Sequence, residues 1–252
     1  MNVHTPTWNQ NYYDLLEFYL FEPQHIAAKS GGDTQKRRTV SESLKRLKRL
    51  ETPFNHLFSI FFRLAPREFI GRIVAEAFPG VELLNDLECV GREADRRFDL
   101  RSATQPDLLF VGENTIVCVE MKVDAKTDAE QIFKYAALFA HLDPAVLKRR
   151  LLIFWGPKGF AQLWSSKGLT LEEAKGLTLA FARDLPKRLS SKSLVAKIPN
   201  VEEVVASVEI GYLSYRDVRR LIEIELSRAT ALDGVYRRLL DGMAAEIEAR
   251  GY

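Results

Sequence analysis

Apolar runs in the middle of the chain predict two adjacent β-strands. Residues 107–111 and 115–123 are rich in side chains that favour β-structure, and typical turn residues occupy positions 112–114. This order predicts a β-hairpin. The second strand is apolar on both faces except at two charged positions, which is typical of a strand in the centre of a sheet.

Apolar residues at helical spacing are found on both sides of this hairpin. Residues 66–78 form an amphipathic pattern that ends at Phe78-Pro79-Gly80. A second helix is predicted from the capping-box spacing of Thr127-Asp-Ala-Glu130 to about Leu142, before Pro144. Further predicted elements are strands over residues 84–90, 151–155 and 160–164 and helices over residues 214–227 and 232–250.

The order of these elements predicts an α/β fold with a mixed central sheet. The chain has 252 residues and 46% hydrophobic content, which is enough to bury a substantial core. We therefore expect a helical, basic extension over residues 1–50, one core domain over residues 51–165, and a helical C-terminal extension over residues 166–252 that packs on the core.

The register of the hairpin is expected to bring three charged side chains to one face. With Glu113 and Asn114 at the tip, Asp107 lies opposite Glu120, and directly opposed residues of an antiparallel pair share a face. Lys122 follows Glu120 by two positions and therefore points the same way. A shift of one residue in the turn would move Asp107 to the opposite face.

Two carboxylates and a lysine on one half-buried face are suited to binding a divalent cation. Carboxylates that converge and lose hydration are costly unless a cation or a proton compensates them. Magnesium prefers one or two carboxylates and completes its shell with water and phosphate oxygens, so Asp107 and Glu120 are the predicted ligands. Lys122 is placed to hold or activate an attacking water. The alternative is an ordinary ion pair of Glu120 with Lys122 on a solvated strand, with Asp107 as a turn residue.

Three short motifs follow one another along the predicted hairpin and helix. They are Pro106-Asp107, Glu120-Met121-Lys122 and Gln131-Ile-Phe-Lys-Tyr135, whose first and last residues share a helix face. The first two resemble the motifs of the PD-(D/E)xK nuclease superfamily, and the third is similar to the QxxxY element of its RecB-like and related exonuclease branches. The resemblance implies a restriction-endonuclease-like α-β-β-β-α-β core, dependence on magnesium or manganese, and hydrolysis of DNA phosphodiester bonds. It also implies that Gln131 positions the substrate or a metal-bound water and that Tyr135 orients Gln131 or contacts the backbone.

Such families often add an acidic residue from the helix that precedes the sheet. In the helix predicted over residues 66–78 the candidates are Glu68 and Glu76, and Glu76 lies nearer the sheet in sequence. The alternative for both is a solvated helix glutamate. Asp99 is a rival of Asp107 as the first acid, although the hairpin pairing leaves it outside.

Cationic residues are concentrated near the N-terminus, although the formal net charge of the chain is only +2. Residues 36–49 combine seven cations with apolar residues at helical spacing, and a basic helix of this kind is suited to contacting DNA phosphates. The alternative is a helix that packs its apolar side on the core and leaves its cations in solvent. The cations are Lys36, Arg37, Arg38, Lys45, Arg46, Lys48 and Arg49.

Other classes of function find no support in the sequence. The four histidines and two cysteines lack the spacing of zinc ligands, and no Gly-rich loop predicts binding of a nucleotide cofactor. The cysteines lie in predicted strands, which suits reduced thiols. No signal-peptide pattern or membrane-spanning apolar run is found, so we expect a cytoplasmic protein that does not bind membranes.

The sequence thus predicts a magnesium-dependent DNA nuclease, and both endonucleases and exonucleases fit the pattern. A homodimer would suit cleavage of both strands of a duplex. The alternative from another class is a non-catalytic DNA-binding or protein-interaction module that keeps the fold and uses residues 36–49. The phenylalanine-rich segment 54–62 also resembles the recombination-promoting nucleases.

Overall fold

The computed structural model describes the helical and sheet core of the protein together with short N-terminal pieces. The described residues are 8–9, 12–13, 51–90, 106–123, 126–127, 129–143, 145, 147–157, 159–164, 173, 201–228 and 234–252. The elements within them are α1 (Glu51–Leu64), α2 (Arg67–Ala77), β1 (Glu88–Cys89), β2 (Leu108–Val111), β3 (Thr115–Met121), α3 (Ala129–Leu142), β4 (Arg149–Gly156), a 3-10 helix (Phe160–Leu163), α4 (Val201–Ser207), β5 (Val208–Ser214), α5 (Tyr215–Arg228) and α6 (Gly234–Ala249). The protein is therefore a mixed α/β fold, as its sequence predicts.

The five described strands form one mixed sheet in the order β1-β2-β3-β4-β5. The pairs β1–β2 and β2–β3 are antiparallel, whereas β3–β4 and β4–β5 are parallel. Parallel neighbours need a crossover, which α3 supplies between β3 and β4. Strand β3 lies in the middle of the sheet and is buried along its whole length, which confirms the expectation from its continuous apolar sequence.

The hairpin of β2 and β3 has the predicted register. Val111 pairs with Ile116 and Leu109 pairs with Cys118, and the antiparallel pairing continues as far as Leu108 and Val119. The turn is closed by a hydrogen bond of 2.8 Å between backbone groups on either side of its tip. The two-residue tip predicted from the sequence is therefore correct, and the side chains of β3 point to the faces that its alternation predicts.

Helices cover both faces of this sheet. Helices α1, α2, α5 and α6 pack on the face that receives Val117, Val119 and Met121 of β3, while α3 and α4 pack on the face that receives Ile116 and Cys118. The phenylalanines of α1 lie in the first of these two cores, where the ring of Phe58 meets that of Trp155 at 5.2 Å between centroids. The phenylalanine-rich pattern of the segment therefore serves core packing.

The helix α2 approaches the following chain closely at Gly71. A methyl group at this position would overlap the backbone carbonyl of Leu84, which belongs to the segment leading to β1. Because a carbonyl of the main chain cannot move aside as a flexible side chain can, only glycine allows this contact. The helix otherwise matches the prediction over residues 66–78, and Phe69, Ile73 and Ala77 face the core as expected.

The strand predicted over residues 160–164 is wrong, because residues Phe160–Leu163 form a 3-10 helix. Its apolar residues are buried against the second face of the sheet instead of pairing with a strand. Only Trp164 forms a bridge among these residues, and its partner is Thr127.

Thr127 does not act as the predicted cap of α3. The backbone N–H of Thr127 donates to the Leu163 carbonyl at 2.6 Å, and the Thr127 hydroxyl has no hydrogen-bond partner among the described residues. The helix bounds of α3 are as predicted, but Thr127 does not cap it.

Two further elements differ from the sequence predictions. The strand expected over residues 84–90 is reduced to Glu88–Cys89. The region 166–252, expected to be helical, contributes β5 to the sheet, where it pairs in parallel with β4. The sheet therefore extends beyond residue 165, and the helices that follow β5 belong to its core.

The described N-terminal residues contact the last helix. Trp8 donates from its ring N–H to the carbonyl of Leu239 at 2.9 Å, and the Tyr13 hydroxyl donates to Glu246 at 2.8 Å. Among the helices that the structure describes, none combines the length and the apolar character that crossing a membrane requires.

Candidate functional site

The predicted charged residues meet at the end of the β2–β3 hairpin that lies away from its turn. Asp107 directly precedes β2, and continuing the observed register by one pair sets it opposite Glu120 of β3. Lys122 directly follows β3, and its backbone N–H donates to the carbonyl of Trp155 at 2.8 Å, which prolongs the contact with β4. The cluster thus lies at the carboxyl ends of the parallel strands, where ligands bind in many open α/β sheets.

Both carboxylate oxygens of Asp107 accept a hydrogen bond. Oδ2 accepts from the backbone N–H of Met121 at 2.7 Å, and Oδ1 accepts from Nδ2 of Asn55 at 2.5 Å. Hydrogen bonds to an ionised carboxylate are short and strong. Asp107 is therefore held between β3 and α1.

The carboxylate of Glu120 is buried and compensated on both oxygens. Oε1 lies 2.5 Å from Nζ of Lys122, and Oε2 accepts a hydrogen bond from the hydroxyl of Tyr135. The side chains of Glu120 and Lys122 are only 7% and 12% exposed, so the ion pair of the alternative interpretation is present but the strand is not solvated. Because a buried carboxylate is costly without partners, this position is maintained by the lysine and the hydroxyl together.

Tyr135 joins the cluster from α3 and is fully buried. Burial, followed by the negative charges of Glu120 and Asp107, raises the pKa of Tyr135 well above its usual value of 10.0. The hydroxyl therefore keeps its proton and remains a donor to Glu120. This contact with Glu120 differs from the partner expected from the sequence, which was Gln131 or the backbone.

Gln131 lies one helical turn before Tyr135 and is half-buried. Residues four apart on a helix share a face, so Gln131 lies on the side of α3 that carries the Tyr135 contact. The two motif residues of α3 are thus on the same side, as the sequence predicts.

The two glutamates of α2 do not join this cluster. Glu76 forms an exposed ion pair with Arg220 of α5, and Glu68 is exposed at a cleft of about 400 Å³ between α2, α5 and α6. Within the described part of the chain, no three histidine, cysteine, aspartate or glutamate side chains form a group that could hold a metal. The expected third acid from α2 is not there, because the face that α2 turns toward the sheet is apolar.

Asn55 is the site residue that the sequence reasoning missed. Its amide donates to Asp107, as described above, and its Oδ1 is buried without a hydrogen-bond partner among the described residues. The available signal was the pair Asn55-His56 inside an otherwise phenylalanine-rich and apolar segment. A polar side chain in such a segment of a core helix calls for a specific partner.

Two sets of sequence candidates lie outside the described residues. These are the seven cations of residues 36–49 and the rival acid Asp99. The DNA contact expected from these cations remains a prediction.

The cluster presents hard oxygen donors beside one ammonium group. Two carboxylates and a buried amide oxygen are ligand types that Mg²⁺ and Mn²⁺ accept. The residues present therefore fit a hard divalent cation.

Comparison with known proteins gives no relative from which a function could be transferred. No family model, no curated protein and no solved structure matches the chain. The functional interpretation therefore depends on the geometry of the cluster and on the order of the elements that carry it.

Proposed function

We propose that the protein is a metal-dependent nuclease that hydrolyses DNA phosphodiester bonds at the cluster of Asp107, Glu120 and Lys122. The observation that carries the proposal is the convergence of the buried Glu120 with the partly buried Asp107 and Lys122 at the end of the central hairpin. Charged groups are rarely buried at the end of a central strand without a function or a bound partner.

The order of the elements supports the same proposal. From α2 to β4 the described chain runs helix, three strands, helix and strand, and the sheet has antiparallel and parallel parts. This is the α-β-β-β-α-β order that the resemblance to the PD-(D/E)xK superfamily implies.

Asp107 and Glu120 would hold Mg²⁺ or Mn²⁺. When bound, such a cation polarises a phosphodiester and lowers the pKa of a bound water, which makes hydroxide available at neutral pH. The contribution of the chain is to hold both carboxylates in a fixed orientation. Met121 does so for Asp107 through its backbone N–H, and Tyr135 does so for Glu120 through its hydroxyl.

Lys122 supplies a positive charge beside the carboxylates. Its ammonium group lies 2.5 Å from Oε1 of Glu120, in a largely buried position where charges interact strongly. A donor in this place can hold the attacking water and stabilise the negative charge that builds on the phosphate oxygens in the transition state. Gln131 would position the substrate or the water from the adjacent helix face.

The test is magnesium-dependent cleavage of linear, circular and single-stranded DNA by the wild type and by site variants. Glu120→Gln keeps the size of the side chain and an acceptor for Tyr135 but removes the charge, and Lys122→Met removes the ammonium group. We expect each to reduce the rate by about a hundredfold or more, since each removes charge stabilisation at the reacting phosphate.

The matched control is Glu209→Gln, which makes the same chemical change at an exposed ion pair with Arg149 near the opposite end of the parallel strands. Its cleavage rate should equal that of the wild type. Equal rates in the wild type and in both site variants would refute the proposal. Salt-sensitive DNA binding without any cleavage would instead support the non-catalytic DNA-binding alternative.

A further inference from the structure

The side-chain amide of Asn55 lies beside Asp107, and only its N–H side has a hydrogen-bond partner among the described residues. Nδ2 donates to Oδ1 of Asp107 at 2.5 Å. This contact determines which way the amide points, because the reverse orientation would set two acceptors against each other. Oδ1 of Asn55 is the remaining atom, and it is buried without a hydrogen-bond partner among the described residues.

A buried carbonyl oxygen without a donor is unusual in a folded protein. Most buried polar atoms have a partner, and those that lack one often face an ion or a water. If only apolar groups surrounded this oxygen, its lost hydration would destabilise the folded protein. A leucine of the same size would not carry this penalty. The position next to Asp107 instead gives the oxygen a natural partner in a cation.

We infer that Asn55 is the third protein ligand of the cation, bound through Oδ1, and this inference rests on the proposed function. Side-chain carbonyl oxygens are accepted by hard divalent cations alongside carboxylates and water. The ligand contributed by the helical layer before the sheet is thus a neutral amide of α1, while the glutamates of α2 lie elsewhere.

A neutral third ligand has a consequence for the charge of the site. Two carboxylates, the ammonium group of Lys122 and a divalent cation together leave a single positive charge, which attracts an anionic phosphate. A third carboxylate would neutralise the site. Asn55 therefore adds an oxygen to the cation without weakening the attraction for substrate.

The test measures Mn²⁺ binding by electron paramagnetic resonance in the full-length protein without DNA, so that the readout does not depend on cleavage. Asn55→Leu removes the oxygen and should weaken Mn²⁺ binding by about tenfold or more. The bound ion should also gain a water ligand, which water-proton relaxation detects. Asn55→Asp keeps an oxygen and adds a charge, so it should bind Mn²⁺ about tenfold more tightly than the wild type.

The matched control is Asn114→Asp, the same chemical change at the exposed tip of the hairpin, at the end away from Asp107. It should leave the affinity for Mn²⁺ unchanged. Circular dichroism verifies that each variant folds, and Asn55→Asp, being isosteric, decides the matter if Asn55→Leu does not fold.

The outcomes separate the two proposals. Weaker Mn²⁺ binding by Asn55→Asp would mean that Asn55 only holds Asp107 through its N–H, and would overturn the ligand role. Wild-type binding that Asp107→Asn abolishes but that neither Asn55 variant changes would overturn this inference and leave the proposed function standing. Absence of Mn²⁺ binding by the wild type would overturn both.

Discussion

Replacement of Tyr135 by phenylalanine removes one hydrogen bond from the cluster and leaves its packing in place. The ring is fully buried in the core between α3 and the sheet, and phenylalanine fills the same space. The loss is confined to the hydroxyl that donates to Oε2 of Glu120. Because the side chain of Glu120 is 7% exposed, water cannot readily replace the lost donor.

The expected cost follows from the charge of the acceptor. A hydrogen bond to a charged group contributes about 1.5–3 kcal/mol, so we expect Tyr135→Phe to lower the free energy of unfolding by about 2 kcal/mol. The control is Tyr212→Phe, which removes a longer bond of 3.3 Å to the neutral carbonyl of Gly156. Its cost should be about 0.5 kcal/mol, at the lower end for neutral hydrogen bonds.

The assay is urea unfolding at neutral pH, followed by tryptophan fluorescence and far-ultraviolet circular dichroism. The double variant with Glu120→Gln completes a cycle, in which the coupling of Tyr135 with Glu120 should be at least about 0.5 kcal/mol. Equal losses in Tyr135→Phe and Tyr212→Phe, together with no coupling to Glu120, would refute the assignment of the hydroxyl to the carboxylate.

The same tyrosine makes a prediction about alkaline pH. Its pKa in the folded protein lies well above the unfolded value of 10.0, so the folded state retains a proton that the unfolded state loses. The stabilisation is complete below pH 10 and declines as the pH rises above that value. Unfolding curves above pH 10 should therefore show a smaller decline in stability for Tyr135→Phe than for the wild type.

The remaining predictions concern the scaffold that carries the cluster. Gly71→Ala should lower the free energy of unfolding by about 1–3 kcal/mol, because the methyl group would overlap the Leu84 carbonyl; thermal unfolding measures it. The guanidinium of Arg150 is only 2% exposed and lies 2.6 Å from the carboxylate of Asp143, so Asp143→Asn leaves a buried charge without its partner. Urea unfolding should show a free energy of unfolding that is lower by about 3–5 kcal/mol. Burial raises the pKa of Cys89 to about 12, so little of the reactive thiolate is present at pH 8 in the folded protein. Iodoacetamide should therefore label this thiol at least tenfold more slowly in the folded protein than in the urea-unfolded protein, as measured by mass spectrometry. Equal labelling rates would contradict this placement of the thiol.

Local spacing along the chain was sufficient to predict the part of the cluster that lies on the hairpin. The turn length sets the register, and the alternation of a strand sets the face of each side chain, so Asp107, Glu120 and Lys122 follow from short-range geometry. The helix that carries Gln131 and Tyr135 was also predicted with its observed end at Leu142, because apolar spacing and the following proline are local signals.

Other features depended on partners that are distant in sequence. Residues 160–164 have the apolar content of a strand, yet Phe160–Leu163 form a 3-10 helix whose apolar side chains are buried against one face of the sheet. Strand β5 forms by pairing with the edge of β4, because its own pattern contains a glycine and polar residues that weaken the local signal for a strand.

The sequence by itself predicted the register that sets Asp107 across from Glu120 and the pairing of Glu120 with Lys122, since these depend on neighbours within a single hairpin. Only the tertiary structure decided which helix completes the cluster. Asn55 and Asp107 are in contact although 52 positions separate them in the chain, whereas the glutamates of α2 lie away from the cluster. Both facts depend on how α1 and α2 pack on the sheet, which is set by the shape of the whole core. Side-chain spacing describes one element at a time, whereas a binding site is formed by the distances between elements.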